Sequence, residues 1–593
     1  MISTDSAHSR RRGSSDVMGF PSPRVKSLLA LMLLCLAPLT WGCGGSEPSP
    51  SPRPDAGTQR PDAGSSTNDA GTDAGTEDPD AGEPPPAFTL QQSPELSLRF
   101  RLDRTTESWP VVVLREPAFT DAVSISVEGL PEHVSASDTV VAEGEIYGTL
   151  EFSVTEFASY GIVPVTLVAR AGEVRVEQTQ NLNIQPGPAA LDTSFGNRGV
   201  AAPAFGLPAV RIHAVAPQPD GKWILAGATG STGLRDVLVA RLLANGTLDP
   251  DFGTQGTVTL DVCGGDDYVD AVTVLSDGRI LVAGGAISGP GGCSGRQYQS
   301  LLFARYTPAG TLDTTLGGTG VRTFQLSEGN ATLHAVTVDS QGRIVGAGTA
   351  QHDDLDFVIM RLTPTGAADT TFSSDGLAWE DLGEDENGLG VITQSDDRIV
   401  VVGTTLASTS GMTLRRYNVN GTVDRTFSYD GQAPGLRTLT PRTLHLLAGD
   451  ALLVGGTAQF SSGTTAYTSA SVTRLHSDGK RDTAFGIEGT STGRWSAPDN
   501  PVERLVGTGI LPGGELVLAA ASTIDGVTDG IGLIHLSADG KTALRAHRTN
   551  LPGTEAALTA ALHSDGTMCV AGLRADQGTS TSAPFAARFW PYE

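Results

Sequence analysis

The chain has 593 residues, a mass of 61.3 kDa and a net charge of −26, and 73 of its residues are glycine. Nucleic-acid phosphates are bound by clustered Lys and Arg, so 40 basic against 66 acidic residues predict no nucleic-acid partner. No apolar run reaches the ~18 residues of a spanning helix, which excludes a polytopic membrane protein. The high glycine content predicts a turn-rich, all-β chain with more than one folded unit.

Residues 1–42 have the layout of an export signal. Basic residues precede an apolar stretch over 28–39, and Gly42 lies directly before Cys43. This order is typical of secretory signals. The junction resembles a bacterial lipobox, which implies that Cys43 becomes the N-terminus and carries lipid. The alternative is an ordinary signal peptide that is cut nearby.

Residues 43–87 have the composition of a disordered tether. The triplet Asp-Ala-Gly occurs five times among prolines, with almost no large apolar side chain to bury. The segment resembles the spacer that follows the lipid-bearing Cys in many bacterial lipoproteins. We therefore expect an exported protein that is lipid-anchored to the cell envelope, at the outer membrane or the cell surface.

Residues 88–185 alternate between apolar and polar side chains, as in Val123, Ile125 and Val127. Period-two runs separated by turn residues predict half-buried strands, about seven of them in about 100 residues. This predicts a small β-sandwich, which resembles immunoglobulin-like modules of bacterial surfaces in architecture. A role as spacer or stabilising module is favoured, with carbohydrate binding as the alternative.

Residues 189–593 repeat with a period of 52 to 64 residues. In the first copy the alternation predicts strands over 213–218, 222–228, 236–243 and 257–262. Four short antiparallel strands in each of seven copies are typical of a β-propeller. The strand-two landmarks begin at Gly221, Gly278, Gly342, Asp397, Asp450, Gly514 and Gly566.

The two ends of the repeat region are complementary. The last copy lacks a fourth strand, whereas 191–200 is a fourth-strand segment without three strands before it. We therefore predict a seven-bladed ring that is closed by pairing 191–200 with the C-terminal blade, since closure removes sheet edges. An open solenoid is the structural alternative, but no polar cap is evident in the sequence.

The repeats also resemble a known family. The segments NGTLDPDFG (245–253), NGTVDRTFS (420–428), QPDGKWILAGA (218–228) and SDGRILVAGG (276–285) look like the delta-60 repeat of secreted bacterial proteins. This resemblance covers about 191–593. It implies an extracellular, propeller-like array without established catalysis and brings no catalytic residues to this chain.

Two groups of residues have the chemistry of a site. Cys263 and Cys293 lie in connections that should open on one face, and an exported chain favours a disulfide between them over two free thiols. His213, Asp270 and His334 occupy one register in the first three copies, near the channel. They are weak candidates for a shared metal, and polar residues at the channel mouth are the favoured interpretation.

Acidic residues concentrate in the loops between second and third strands and in the connections between copies. Carboxylates can bind Ca²⁺, but none of these segments fits the twelve-residue calcium loop, so we expect a solvated acidic face and no cofactor. The variable loops predict that a ligand binds on this face. The residues of this candidate ligand face are Asp266, Asp267, Asp353, Asp354, Asp356, Glu384 and Asp385.

Together these features predict a non-catalytic binding or scaffolding propeller at the cell envelope, with a surface protein or a glycan as its partner and a lipid anchor in the membrane. One alternative is a propeller enzyme, such as a hydrolase, lyase or dehydrogenase, acting at the channel mouth. A purely structural surface protein is the other.

Overall fold

The computed structural model describes residues 87–91, 96–99, 106–154, 161–185, 190–262, 264–287, 298–326, 329–405, 411–428, 432–433, 439–462, 465–493, 502–524, 527–549, 551, 554–575 and 582–590. The export signal, Cys43 and nearly all of the tether lie outside this part of the chain. Among the residues it covers, no helix is long and apolar enough to cross a membrane.

The first nine strands form two sheets around one core. They are β1 (Phe88–Leu90), β2 (Leu96–Arg99), β3 (Thr106–Arg115), β4 (Val123–Glu128), β5 (Val134–Ala136), β6 (Thr139–Val141), β7 (Tyr147–Val154), β8 (Gly161–Ala171) and β9 (Val174–Gln185). One sheet has the order β1-β3-β7-β5 and the other β2-β9-β8-β4-β6. The described part of this region contains nine strands, against about seven predicted, and three-residue strands such as β5 and β6 are too short to show alternation.

Alternation explains which face of each strand is buried. In β7, Leu150, Phe152 and Val154 are buried and the residues between them are exposed or half-buried. Ile125 of β4, from the other sheet, belongs to the same cluster of buried side chains. Apolar residues at every second position therefore meet across the two sheets, as period-two alternation requires.

The remaining described strands fall into seven groups of four, which we number repeats 1 to 7. Repeats 1 to 3 are β11 (Arg211–Pro217), β12 (Trp223–Thr229), β13 (Asp236–Leu242), β14 (Thr257–Leu260); β15 (Asp267–Val274), β16 (Ile280–Ile287), β17 (Gln299–Tyr306), β18 (Val321–Phe324); and β19 (Ala331–Val338), β20 (Ile344–Gln351), β21 (Leu355–Leu362), β22 (Leu377–Glu380). Each group pairs antiparallel in sequence order. The strands predicted for the first copy match β11 to β14 within two residues at each end.

Repeats 4 to 7 follow the same plan with local variations. They are β23 (Glu386–Thr393), β24 (Ile399–Thr405), β25 (Gly411–Tyr417), β26 (Gln432–Ala433); β27 (Leu439–Leu446), β28 (Leu452–Ser462), β29 (Thr465–Leu475), β30 (Thr490–Gly493); β31 (Val502–Ile510), β32 (Leu516–Ile524), β33 (Val527–Leu536), β34 (Ala543–Thr549); and β35 (Thr554–Leu562), β36 (Met568–Ala575), β37 (Ser582–Phe589) with β10 (Val200–Ala201). A single parallel pair, Thr468 with Val502, joins repeats 5 and 6 into one larger sheet. A 3-10 turn, Ala448–Asp450, connects β27 to β28.

One arginine in the third strand links each of several repeats to the next. In repeat 1, Arg241 Nε donates to Asp249 Oδ2 at 2.8 Å, and its guanidinium lies 4.8 Å from the centre of the Phe252 ring. Its Nη1 donates at 2.5 Å to the carbonyl of Pro308 in repeat 2. An Asp recurs at the position of Asp249 in repeats 1 to 5, and a Phe lies three residues later in all of these except repeat 2. We call these residues the landmark Asp and Phe, and in repeat 1 they are the two partners of a buried arginine. Equivalent Arg–Asp–Phe groups are Arg361–Asp369–Phe372, Arg416–Asp424–Phe427 and Arg474–Asp482–Phe485.

The segment before repeat 1 contacts the last strand of the chain. Val200 pairs with Ala587, and Leu191 forms a bridge with Phe589. Arg588 Nε donates to Asp192 Oδ2 at 2.6 Å, so the landmark contact recurs between the two ends of the region. The first strands of successive repeats contact one another, and β35 contacts β11, which completes the cycle.

Candidate functional site

Every first strand carries a β-bulge at the same position. In repeat 1 the register shifts between Ile212 and Ala214, which leaves His213 without a partner on β12. The extra residue of a bulge re-aims its side chain, and bulges are frequent next to functional sites. The seven bulge residues are His213, Asp270, His334, Leu389, Arg442, Val506 and Leu558.

A glycine in the second strand makes room for most of these bulges. A Cβ placed on Gly348 would lie 1.9 Å from the carbonyl oxygen of Thr332, so the bulged strand leaves no space for a side chain there. Ala520 holds this register position in repeat 6. Most strand-two landmarks have a glycine six residues after their first residue, and the close approach of the bulged backbone explains why a glycine is needed there. The glycines at this position are Gly227, Gly284, Gly348, Gly403, Gly456 and Gly572.

All seven bulge residues line one cavity of about 480 Å³. This volume lies in the range of small-molecule binding sites. Three of the seven bulge residues are aliphatic. The other four are polar: two histidines, one aspartate and one arginine. The register alignment predicted that His213, Asp270 and His334 would lie near the channel, and the structure places all three on this cavity.

His213, Asp270 and His334 form a hydrogen-bonded triad across three repeats. The Nδ1 atoms of His213 and His334 lie 2.8 Å and 2.9 Å from the two carboxylate oxygens of Asp270. Burial alone would raise the pKa of Asp270, but the hydrogen bonds from both imidazoles lower it well below its usual value. Because Asp270 is ionised, each Nδ1 donates to it, and Nε2 of each ring is left for a further hydrogen bond.

The triad does not form a metal centre by itself. Both oxygens of Asp270 already accept hydrogen bonds from imidazoles. In the described part of the chain, the groups with three ligand atoms within 4.8 Å of one another are composed of aspartates and do not include the triad. The triad therefore offers a ligand in the channel hydrogen bonds and charge, but not a preformed set of metal ligands.

Arg442 is a cation without a carboxylate partner among the described residues. Its Nε donates to the carbonyl of Val506 at 3.4 Å, and its Nη2 donates to the carbonyl of Leu558. The guanidinium remains accessible to water in the cavity, yet protein surrounds it. Loss of bulk water and the nearby charge of Arg504 together lower the pKa of Arg442 to about 10. An anion in the cavity would compensate this charge.

Arg504 and the polar groups behind Arg442 were not among the residues singled out from the sequence. Arg504 Nη2 donates to the carbonyl of Ala557 at 2.8 Å. His445 lies close by, with Nε2 2.6 Å from Thr508 Oγ1, and burial lowers its pKa to about 4, so it is neutral at pH 7. Arg442 itself could have been found from the sequence. When the seven repeats are aligned, it is the only basic residue besides the two histidines at the bulge position.

The carboxylates of the predicted acidic ligand face differ in their burial and in their partners. Asp266 accepts from Arg235 Nη2 at 2.6 Å and from the backbone N–H of Gly233 at 2.8 Å, and the hydrogen bonds from Arg235 lower its pKa. Asp353 is fully exposed. Asp267 and Asp356 are buried, and Asp356 lies in one cluster with Asp354.

The other two acidic candidates do not join a cluster of three ligand atoms among the described residues. Glu384 is exposed. Asp385 Oδ1 accepts from the backbone N–H of Leu355 at 3.2 Å. Cys263 and Cys293 lie outside the described residues, so their disulfide stays a prediction. Cys569 is fully buried in β36, and burial raises the pKa of its thiol to about 12.

Comparison with known families supports the repeat assignment. Segments 218–252, 275–316, 340–372 and 394–427 match a family described as "Domain of unknown function (DUF5122) beta-propeller". The chain is therefore an all-β protein that contains β-propeller repeats. A search of curated proteins found no match.

Proposed function

We propose that this chain is an exported, lipid-anchored binding protein in which an immunoglobulin-like sandwich precedes a seven-bladed propeller. Seven four-stranded groups, the cycle of contacts among their first strands and the pairing of β10 with β37 support the blade count. The two-sheet core of β1 to β9 supports the sandwich. The anchor rests on the sequence around Cys43. Cys43→Ser should move the protein from a detergent phase to the aqueous phase, and equal partitioning of both forms would contradict it.

The observation that carries a binding role is the ring of seven bulges around one cavity. Bulges that re-aim only aliphatic side chains would fill the channel, but here two imidazoles, a carboxylate and a guanidinium are among the side chains that line it. Nε2 of each histidine can accept a hydrogen bond from a hydroxyl, and Arg442 can pair with a carboxylate. This combination fits an acidic sugar of a surface glycan, and a surface protein is the other partner class.

The test compares binding of the full chain with two matched arginine variants on a glycan array and a surface-protein array. Arg442→Gln removes the cavity charge, whereas Arg481→Gln removes a charge that does not line the cavity. We expect signals on glycans with acidic sugars, a loss of roughly 10-fold or more in Arg442→Gln, since hydrogen bonds to charged groups contribute ~1.5–3 kcal/mol, and little change in Arg481→Gln.

Three outcomes would contradict this function. They are no binding on either array, binding that is equal in Arg442→Gln and the wild type, and loss in Arg481→Gln alone. Binding only on the protein array would move the ligand class from glycan to protein and contradict the glycan assignment.

A second candidate function is catalysis at the same cavity, and the triad is the observation that favours it. An imidazole oriented by a carboxylate is the arrangement of a general base. Among the described residues that line the cavity there is no serine or cysteine, and the two threonines are Thr443 and Thr559. The triad imidazoles hydrogen-bond to Asp270 and to neither threonine, so the base would act on a ligand hydroxyl or carbon acid. Turnover of acidic glycans that is lost in Asp270→Asn would establish this candidate, and binding without turnover would exclude it.

A further inference from the structure

Three aspartates meet where repeat 1 passes into repeat 2. Asp236 begins the third strand of repeat 1, Asp261 follows its fourth strand, and Asp267 begins the first strand of repeat 2. One carboxylate oxygen from each lies within 4.8 Å of the others. Small rotations of these side chains would bring all three oxygens to the ~2.3–2.6 Å at which carboxylates bind a shared Ca²⁺.

Asp267 is the residue that points to a ligand. Its side chain is fully buried, and its Oδ1 has no hydrogen-bond partner in the structure. Its other oxygen, Oδ2, accepts a hydrogen bond from the backbone N–H of Val262 at 2.6 Å. A buried, unsatisfied carboxylate oxygen costs free energy unless a proton or a cation compensates it.

The same arrangement recurs where repeat 3 passes into repeat 4. Asp356 lies five residues before Arg361, as Asp236 lies before Arg241, and Asp381 follows the fourth strand as Asp261 does. Asp356 and Asp381 form the second described cluster, together with Asp354.

Buried carboxylate oxygens without hydrogen-bond partners also occur at the second junction, one in the cluster and one on the first strand of repeat 4. Glu386 begins β23, at the position of Asp267 on β15, and is fully buried. Asp356 Oδ1 and Glu386 Oε1 both have no hydrogen-bond partner in the structure. Two independent positions thus show the same unsatisfied acidic pocket.

The other repeats do not have this chemistry at the third-strand position. The residues five places before the arginine or its equivalent are Ser300, Gly411, Ser469, Gly530 and Ala583. The acidic clusters are therefore a specific feature of two junctions and not a by-product of the repeat.

We propose that these two junctions are Ca²⁺ sites. Ca²⁺ takes six to eight oxygen ligands and accepts several carboxylates, whereas Mg²⁺ retains most of its waters and binds one or two. Each ion would join the start of a third strand, the end of the fourth strand and the first strand of the next repeat. The same first strand, β15, carries Asp270 three residues further on, so the ion at the first junction would also brace a strand of the cavity.

The experiment is Ca²⁺ titration calorimetry on the full chain after EDTA treatment and dialysis. We expect two bound ions per chain in the wild type, with a Kd near the ~10⁻⁴–10⁻³ M of extracellular calcium modules. Asp267→Asn and Asp356→Asn should each bind one ion, and the double variant none. Asp353→Asn is the matched control: its carboxylate is fully exposed and belongs to neither cluster, so it should still bind two.

A second measurement leaves all the clustered carboxylates in place. Trp379 Nε1 donates to Asp356 Oδ2 at 2.7 Å, so an ion in the second junction would lie next to an indole. Tb³⁺ added to the wild-type chain should give emission on tryptophan excitation, and excess Ca²⁺ should remove it. Trp379→Phe should lose this emission.

The proposal is overturned by absence of Ca²⁺ binding up to about 10 mM, well above that Kd range. In that case a proton compensates Asp267 and Glu386. It is also overturned if the folded double variant retains both ions, or if Tb³⁺ emission is unchanged in Trp379→Phe.

Discussion

At the scale of single residues, the landmark aspartates stabilise the fold as anions. Burial by itself would raise the pKa of Asp424, but hydrogen bonds from Thr426 and the charges of Arg416 and Arg398 lower it to about 2. The pKa values of Asp249, Asp313, Asp369 and Asp482 are lowered in the same way. Each ionised aspartate then pairs with the third-strand arginine of its own repeat.

These shifts predict acid sensitivity. The folded-state pKa lies below the ~3.9 of an unfolded aspartate, so each pair contributes its full stability above about pH 4 and loses it as the pH falls towards 2. We expect the urea midpoint to fall steeply between pH 4 and 2. Asp424→Asn should lower the midpoint at pH 7 and flatten the decline. A midpoint that is constant down to about pH 2 would contradict the assignment.

At the scale of elements, the sequence predicted strands well and their contacts poorly. Alternation and turn residues predicted the ends of β11 to β14 to within two residues. This worked because the pattern of apolar and polar side chains along a strand reflects which of its faces is buried. The short strands β5 and β6 were missed, since three residues show no period. The register alignment found His213 and Asp270 because the bulge recurs at one position. Their hydrogen bond was not predictable, because it depends on how neighbouring sheets are rotated.

The bulge itself predicts the effect of one substitution. Gly348→Ala would place Cβ 1.9 Å from the Thr332 carbonyl, so the bulged strand must shift. We expect a loss of about 1–3 kcal/mol in the free energy of unfolding, as for other overpacked sites. Gly513→Ala is the control, since nothing lies within 4 Å of its Cβ position. Equal urea midpoints for the two variants would show that the bulge adapts freely.

At the scale of the whole molecule, the two ends of the repeat region make the same contact that interior repeats make. Arg588 stacks on Phe195 at 4.8 Å, pairs with Asp192 and donates at 2.5 Å to the carbonyl of Ala244. Arg474 does the same with Phe485, Asp482 and Ala538. The two ends of the repeat region are therefore joined by side-chain contacts as well as by the short β10–β37 pairing. The pairing was predictable because 191–200 resembles a fourth strand and the last copy lacks one. The role of Arg588 was not predictable, because nothing in the sequence around it distinguishes this arginine.

The matched arginines give a test of closure in solution. Removing one partner of a buried ion pair costs ~3–5 kcal/mol, and somewhat less where water screens the pair. Arg588→Met leaves Asp192 buried without its cation, so it should lower the thermal midpoint at least as much as Arg474→Met, whose pair is more exposed. Both are measured by calorimetry on the full chain. If the repeats form an open stack in solution, Arg588→Met will have no effect while Arg474→Met still destabilises. Deletion of 189–202 should, for the same reason, expose the edge of β37 and cause aggregation at concentrations where the wild type stays soluble.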